Sequence, residues 1–97
     1  MKPKTDIPLN TSVFTTKNVM KKNFLITRAY HDDDNSWQFF DDVSTNSNEN
    51  VMVVGLGEIL EHDTTIAEIL KTPTGHYATR KSIADKWTVL KSEQEKE

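Results

Sequence analysis

The sequence predicts an α+β fold: a single domain with an antiparallel-rich sheet of about four to six strands and two or three short helices packed on one face, the arrangement by which such patterns bury their apolar sides. Three observations carry this expectation. Residues 24–31 alternate with a period of two, the same period resumes at residues 36–43 after a polar turn, and residues 55–70 switch to a helical period.

Residues 1–11 are polar and interrupted by Pro3 and Pro8, which predicts a flexible arm ahead of a domain spanning 12–91. Residues 12–15 have the β-branched and aromatic character of a short strand, and residues 17–23 read as a helical turn with Thr16 as N-cap. In the first firm strand, Phe24, Ile26, Arg28 and Tyr30 fall on one side and Leu25, Thr27 and Ala29 on the other. Residues 32–36 are rich in Asp and Asn, which tolerate left-handed backbone, so a turn joins this strand to the next as an antiparallel hairpin.

Residues 44–50 contain no apolar side chain and predict a loop, whereas the run Val51, Met52, Val53, Val54 predicts a central strand buried on both faces. Leu56, Ile59, Leu60, Ile66, Ile69 and Leu70 fall near one helical face. Asp63, Thr64 and Thr65 interrupt the pattern with good capping residues, and Thr65 with Glu68 has capping-box spacing, which favours two short helices over one long one. A turn at residues 71–75 precedes two further strands at 76–81 and 86–90, and residues 92–97 form a charged tail. The predicted core is Phe24, Ile26, Val51, Val53, Ile59, Leu60, Ile66, Ile69, Leu70 and Val89.

Composition narrows the function classes. The chain has no cysteine, so a disulfide framework, a thiolate zinc site and a thiol mechanism are all excluded. Residues 1–10 contain no apolar run of signal-peptide length and nothing approaches a membrane span, so a soluble, cytoplasmic protein with no membrane partner is expected. The net charge of −3 conceals a strong asymmetry. Residues 1–28 carry +5 and residues 71–97 carry +2, while residues 29–70 hold ten carboxylates and no Lys or Arg, giving −10.

No pattern of catalytic or metal-binding residues emerges. His31, His62 and His76 lack the spacing that sets two ligands on one helical face, which leaves them as surface or hydrogen-bonded histidines. The run Asp32, Asp33, Asp34, Asn35, Ser36 resembles the start of a calcium loop, yet Trp37 stands where the sharp turn needs Gly and Val43 where a bidentate Glu should close the site. Gly55 and Gly57 lie between a strand and a helix, where phosphate loops occur, but neither a third Gly nor a Gly-Lys-Ser/Thr follows. Sharp turning of the backbone accounts for both glycines. No catalytic residue, cofactor, metal or nucleic-acid partner is therefore assigned.

The acidic hairpin is the one candidate surface. Asp32, Asp33 and Asp34 at the turn and Asp41 and Asp42 at the far end flank Trp37, Phe39 and Phe40. Alternation places Trp37 and Phe39 on one face and Phe40 on the other. Two arrangements follow: Trp37 is an aromatic anchor ringed by charge, as in a binding hot spot, or all three rings are core and the aspartates only solvate a turn.

From residues 13 to 87 the chain resembles a bacterial family of immunity proteins of polymorphic toxin systems, small domains first described without a function. The resemblance rests on the opening at residues 13–19, the Asp34-x-x-Trp37 hairpin, the segment Val54-Gly55-Leu56-Gly57-Glu58-Ile59-Leu60 followed by Asp63, then Pro73, Gly75 and Trp87. Asn35-Ser36 stands where the family pattern has Ser-Gly. The resemblance implies a non-enzymatic protein that binds and neutralises a cognate protein toxin in the cytoplasm of the producing cell; the acidic hairpin, read independently of it, supplies Asp32, Asp33, Asp34, Trp37, Asp41 and Asp42 as the expected partner-binding set. A second reading is a small-molecule-binding enzyme or sensor at the turn of residues 55–58, and a third a self-associating structural module marked by a large exposed apolar patch.

Overall fold

The computed structural model describes residues 7–42 and 50–91 of the chain. Nine elements follow one another: β1 (Ser12–Thr16), α1 (Lys17–Lys22), β2 (Arg28–His31), β3 (Trp37–Phe40), β4 (Val51–Gly55), α2 (Leu56–His62), a 3-10 helix (Thr64–Ile69), β5 (His76–Thr79) and β6 (Thr88–Lys91). The six strands form one sheet in the order β4-β1-β3-β2-β5-β6. Only the β1–β3 pairing is parallel. The α+β reading holds; residues 1–6, 43–49 and 92–97, and with them the expected tail and most of the expected arm, lie outside the described residues, while Ile7 packs against the core.

One face of the sheet is buried. Val13 of β1, Ala29 of β2, Trp37 and Phe39 of β3, Val54 of β4 and Ala78 of β5 meet Val19 of α1, Leu56, Ile59 and Leu60 of α2, and Ile66 and Ile69 of the 3-10 helix in a single cluster. Local chemistry sets the helix boundaries. Thr16 accepts from the Val19 N–H at 3.2 Å to start α1, and Asn23 ends it in the left-handed region at φ 63°. Asp63 accepts from the Thr65 N–H at 3.0 Å and separates α2 from the 3-10 helix. This corrects the expected Thr65 and Glu68 capping box: Glu58, not Glu68, reaches back, accepting the Gly55 N–H at 3.1 Å.

Further expectations are corrected. Val51 to Val54 form an edge strand, paired with β1 alone among the described strands, so Val53 is 57% exposed. Val89 is also exposed, because β6 is the opposite edge and the helical cluster does not extend over it. The strand expected from residue 24, β2, begins at Arg28, and Ile26 and Thr27 are both buried, which breaks the alternation there. Phe24, Val51 and Leu70 are only half-buried, whereas Trp37 and Phe39, absent from the predicted core, are its largest fully buried side chains.

Arg80 lies just beyond β5 and is buried. Its Nη2 pairs with Asp63 Oδ2 at 2.5 Å, its Nη1 donates to Thr65 Oγ1 at 2.9 Å, and its Nε donates to the Ile26 carbonyl at 3.0 Å. Its guanidinium also sits 4.2 Å from the centre of the Trp87 ring. One cation thus ties the helix junction, the segment before β2 and the segment before β6 to the end of the sheet. Removing it strands the Asp63 carboxylate in the interior. Arg80→Ala is expected to lower stability by about 3–5 kcal/mol in urea denaturation, and Arg80→Lys to recover only part, because a compact ammonium cannot direct donors to three separate acceptors. An unchanged denaturation midpoint for Arg80→Ala would refute the assignment.

Candidate binding face

The acidic hairpin turn is held by its own side chains. The Asn35 N–H donates to the Asp32 carbonyl at 2.8 Å, the Asp32 N–H donates to the Ser36 carbonyl at 2.9 Å, and Asn35 takes the left-handed region at φ 76°. This is the geometry of a three-residue hairpin loop whose last residue needs positive φ, a demand that Asn meets well among residues with a side chain. Asp34 Oδ1 accepts from the Ser36 N–H at 3.0 Å and its Oγ at 2.6 Å. These bonds to Ser36 hold the Asp34 carboxyl below its ordinary value. Asp32 accepts from Gln38 Nε2, and Asp33 Oδ1 lies so close to Gly75 that an added Cβ there would meet it at 2.8 Å. The turn is therefore packed on the start of β5 at a residue whose φ of +75° favours glycine.

Beneath the turn, His31 is buried and stacked on Trp37, with ring centres 4.0 Å apart. Its Nδ1 lies 2.7 Å from the Thr72 carbonyl oxygen and its Nε2 2.7 Å from Asn35 Oδ1. The loop residue and the core histidine thus fix each other.

The six residues expected to bind a partner do not come together as one surface. Trp37 is 2% exposed and belongs to the core, so the first arrangement of the hairpin gives way to the second at this ring. Asp41 is buried, with Oδ2 accepting from Thr16 Oγ1 at 2.7 Å at the junction of β1 and α1. Asp42 is exposed and accepts from Thr27 Oγ1 at 2.9 Å. Asp33 and Asp34 are exposed and Asp32 half-buried. The acidic groups stand at both ends of the hairpin, roughly 13 Å apart by the rise of four strand residues.

The turn at residues 55–58 is occupied by backbone. The Gly57 N–H donates to the Leu9 carbonyl and the Leu56 N–H to the Thr11 carbonyl, both at 2.8 Å, while Glu58 takes the Gly55 N–H. The amides that would cradle an anion are committed. A separate depression of about 400 Å³, wide open to solvent, lies between Asn23, Leu25, Glu61, His62, Thr64 and Ile83. Asp63 and Thr65 on its floor are already engaged by Arg80.

The side of the sheet opposite the core is different. The register aligns Val53, Phe14, Gln38, Tyr30, Tyr77 and Leu90 in one row across all six strands. A second row holds Phe40, Arg28, Thr79 and Thr88. Phe14 is 40% and Leu90 41% exposed, and the tyrosines and Phe40 are half-buried. Tyr30 stacks on Tyr77 at 5.3 Å and tilts against Phe40 at 6.1 Å. Arg28, over Phe40 and donating to the Asp41 carbonyl at 2.7 Å, carries the only charge in the two rows. Through Gln38, Asp32 borders this face, so the acidic turn lies at its rim.

Sequence reasoning located Phe40 here but missed Phe14, Tyr30, Tyr77 and Leu90 as members of one surface. Each occupies an alternate strand position, which was legible; their alignment depends on register, which was not. Among the described residues no helix is long and apolar enough to cross a membrane, and no three His, Asp or Glu side chains converge as a metal site would need. No family model, curated protein or solved structure matches the chain.

Two outcomes follow. Trp37→Ala is expected to cost about 3–5 kcal/mol in denaturant unfolding, as loss of a fully buried ring does; a fully folded, equally stable variant would place Trp37 outside the core. Because the folded turn holds Asp34 below its ordinary value, its carboxylate favours the fold above that value, and the contribution disappears as pH falls through the lowered one. Asp34→Ala should therefore flatten the acid limb of the stability profile below about pH 4, measured by urea midpoints against pH.

Proposed function

We propose that the protein is a non-catalytic binding protein of the immunity type, acting in the cytoplasm to neutralise a cognate basic protein toxin by docking it on the open face of the sheet. The observation that carries this reading is the row of partly exposed side chains running from Val53 to Leu90 across the six described strands, apolar or aromatic at every strand but β3, where Gln38 stands, and uncovered by any described element. Aromatic rings of this kind supply contact area with few rotatable bonds, and such groups dominate binding energy when a partner desolvates them. Phe14, Tyr30, Phe40 and Tyr77 thus take the anchoring part first sought at Trp37.

The exposed carboxylates of Asp33, Asp34 and Asp42 act at longer range. They favour approach of a basic surface, and charges at a wet rim raise the association rate more than they slow dissociation. Many toxins that act on nucleic acids have basic clefts, which suits such steering. The small-molecule reading has less support, because the amides of residues 55–57 are taken by Leu9, Thr11 and Glu58.

The test is the neighbouring gene and its product: the reading frame immediately upstream is expected to encode a toxin with a basic surface, and the binding kinetics of that purified protein are measured. Phe14→Ser with Tyr30→Ser is expected to raise the Kd by about 30-fold or more, mainly through faster dissociation, as a hot spot of about 2 kcal/mol requires. Asp33→Asn with Asp34→Asn should instead slow association and weaken its salt dependence. Variants that keep their circular dichroism and bind with unchanged rates would defeat the proposal, as would an upstream reading frame with no toxin.

A further inference from the structure

The outer edge of β4 has a polarity that can be worked out from its pairing. At the two ends of the β1–β4 ladder the Lys17 N–H donates to the Asn50 carbonyl and the Leu56 N–H to the Thr11 carbonyl. Antiparallel pairs exchange these bonds at every second residue. Met52 and Val54 therefore turn their backbone groups toward β1, opposite Thr15 and Val13, while Val51 and Val53 turn theirs away from it. Gly55, in the same outward phase, gives its N–H to Glu58 instead of to β1. Among the described residues nothing pairs with the outward amides and carbonyls of Val51 and Val53.

These groups are arranged for a strand, and the strand they suit is β4 itself. The outward residues lie symmetrically about Met52. A two-fold axis through Met52, perpendicular to the sheet, sets Val51 of one copy against Val53 of the other and forms roughly four backbone hydrogen bonds. The edge carries none of the devices that usually prevent such pairing: no Lys, no Pro and no charged side chain occurs in Val51–Gly55. Two copies of a chain with net charge −3 thus meet along a neutral strand.

We infer that the protein forms a two-fold dimer by antiparallel pairing of β4 with β4 of a second copy, joining two six-stranded sheets into one. Because the axis is perpendicular to the sheet, both open faces stay on the same side, and Val53 of each copy stands beside Val51 of the other on that face. The dimer is independent of what binds that face.

Sedimentation and amide hydrogen exchange on the whole chain, across a dilution series, test this. The mass should rise with concentration from 11.1 kDa toward twice that value, and the Val51 and Val53 amides should gain protection in step. Val53→Pro removes an outward N–H without touching the β1 ladder, and Val53→Lys places a charge at the edge; both should stay monomeric with the fold retained. A mass of 11.1 kDa at every concentration overturns the inference. So does a dimer in which the two amides exchange freely, or one that survives both substitutions. Protection that does not change on dilution would overturn it too, by showing the edge covered by the chain's own residues.

Discussion

The structure depends on one buried cation. Arg80 is a charge in the interior, and its desolvation is offset only because Asp63, Thr65, Ile26 and the Trp87 ring surround it together. None of these groups is near another in sequence except Asp63 and Thr65. The guanidinium therefore acts as a registration point: the segment before β2, the break between α2 and the 3-10 helix, and the segment leading to β6 must all arrive in place for any of them to be satisfied. Asp63 serves twice, as the cap that starts the 3-10 helix and as the counter-ion. The helical layer is set against the sheet through that double role, and everything the opposite face presents follows from it.

Among the described residues, two short helices and a 3-10 turn cover one side of the six-stranded sheet. The inner face takes Trp37, Phe39 and the aliphatic residues of α2. The outer face keeps Phe14, Tyr30, Phe40 and Tyr77; Tyr30 stacks on Tyr77 and tilts against Phe40, and all four stay in contact with solvent. Acidic residues gather at the hairpin turn on its border, so apolar contact area and long-range field lie side by side. That juxtaposition separates the two tasks of a binding surface, attraction at a distance and retention on contact.

Much of the local structure was legible in the chain. The Thr16 cap, the polar turn at residues 32–36, the split of residues 55–70 into two helical pieces and the opposite facing of Phe39 and Phe40 all follow from short-range backbone and side-chain chemistry. The candidate site was half legible. The acidic turn and the aromatic alternation were visible, but which face of the hairpin is covered was not, since period-two alternation gives two faces without saying which one the helices take. Trp37 was accordingly placed at the surface in one arrangement and in the core in the other. Val51 to Val54 misled for a related reason: a continuous apolar run reads as a central strand, whereas here it is an edge whose outer side chain, Val53, joins the open face.

By itself the sequence determined the class of fold, the element boundaries set by caps and turns, and the concentration of carboxylates in the middle of the chain. These depend on residues within a few positions of one another, where propensity, capping and charge act directly. Only the tertiary structure decided that β4 lies at an edge, that Asp41 and Asp63 are spent inside the protein, and that six alternate residues from six strands align as one surface. Strand order and register are fixed by the joint burial of distant side chains and by the pairing of buried charges, and the free energies of those contacts exist only once the segments have met.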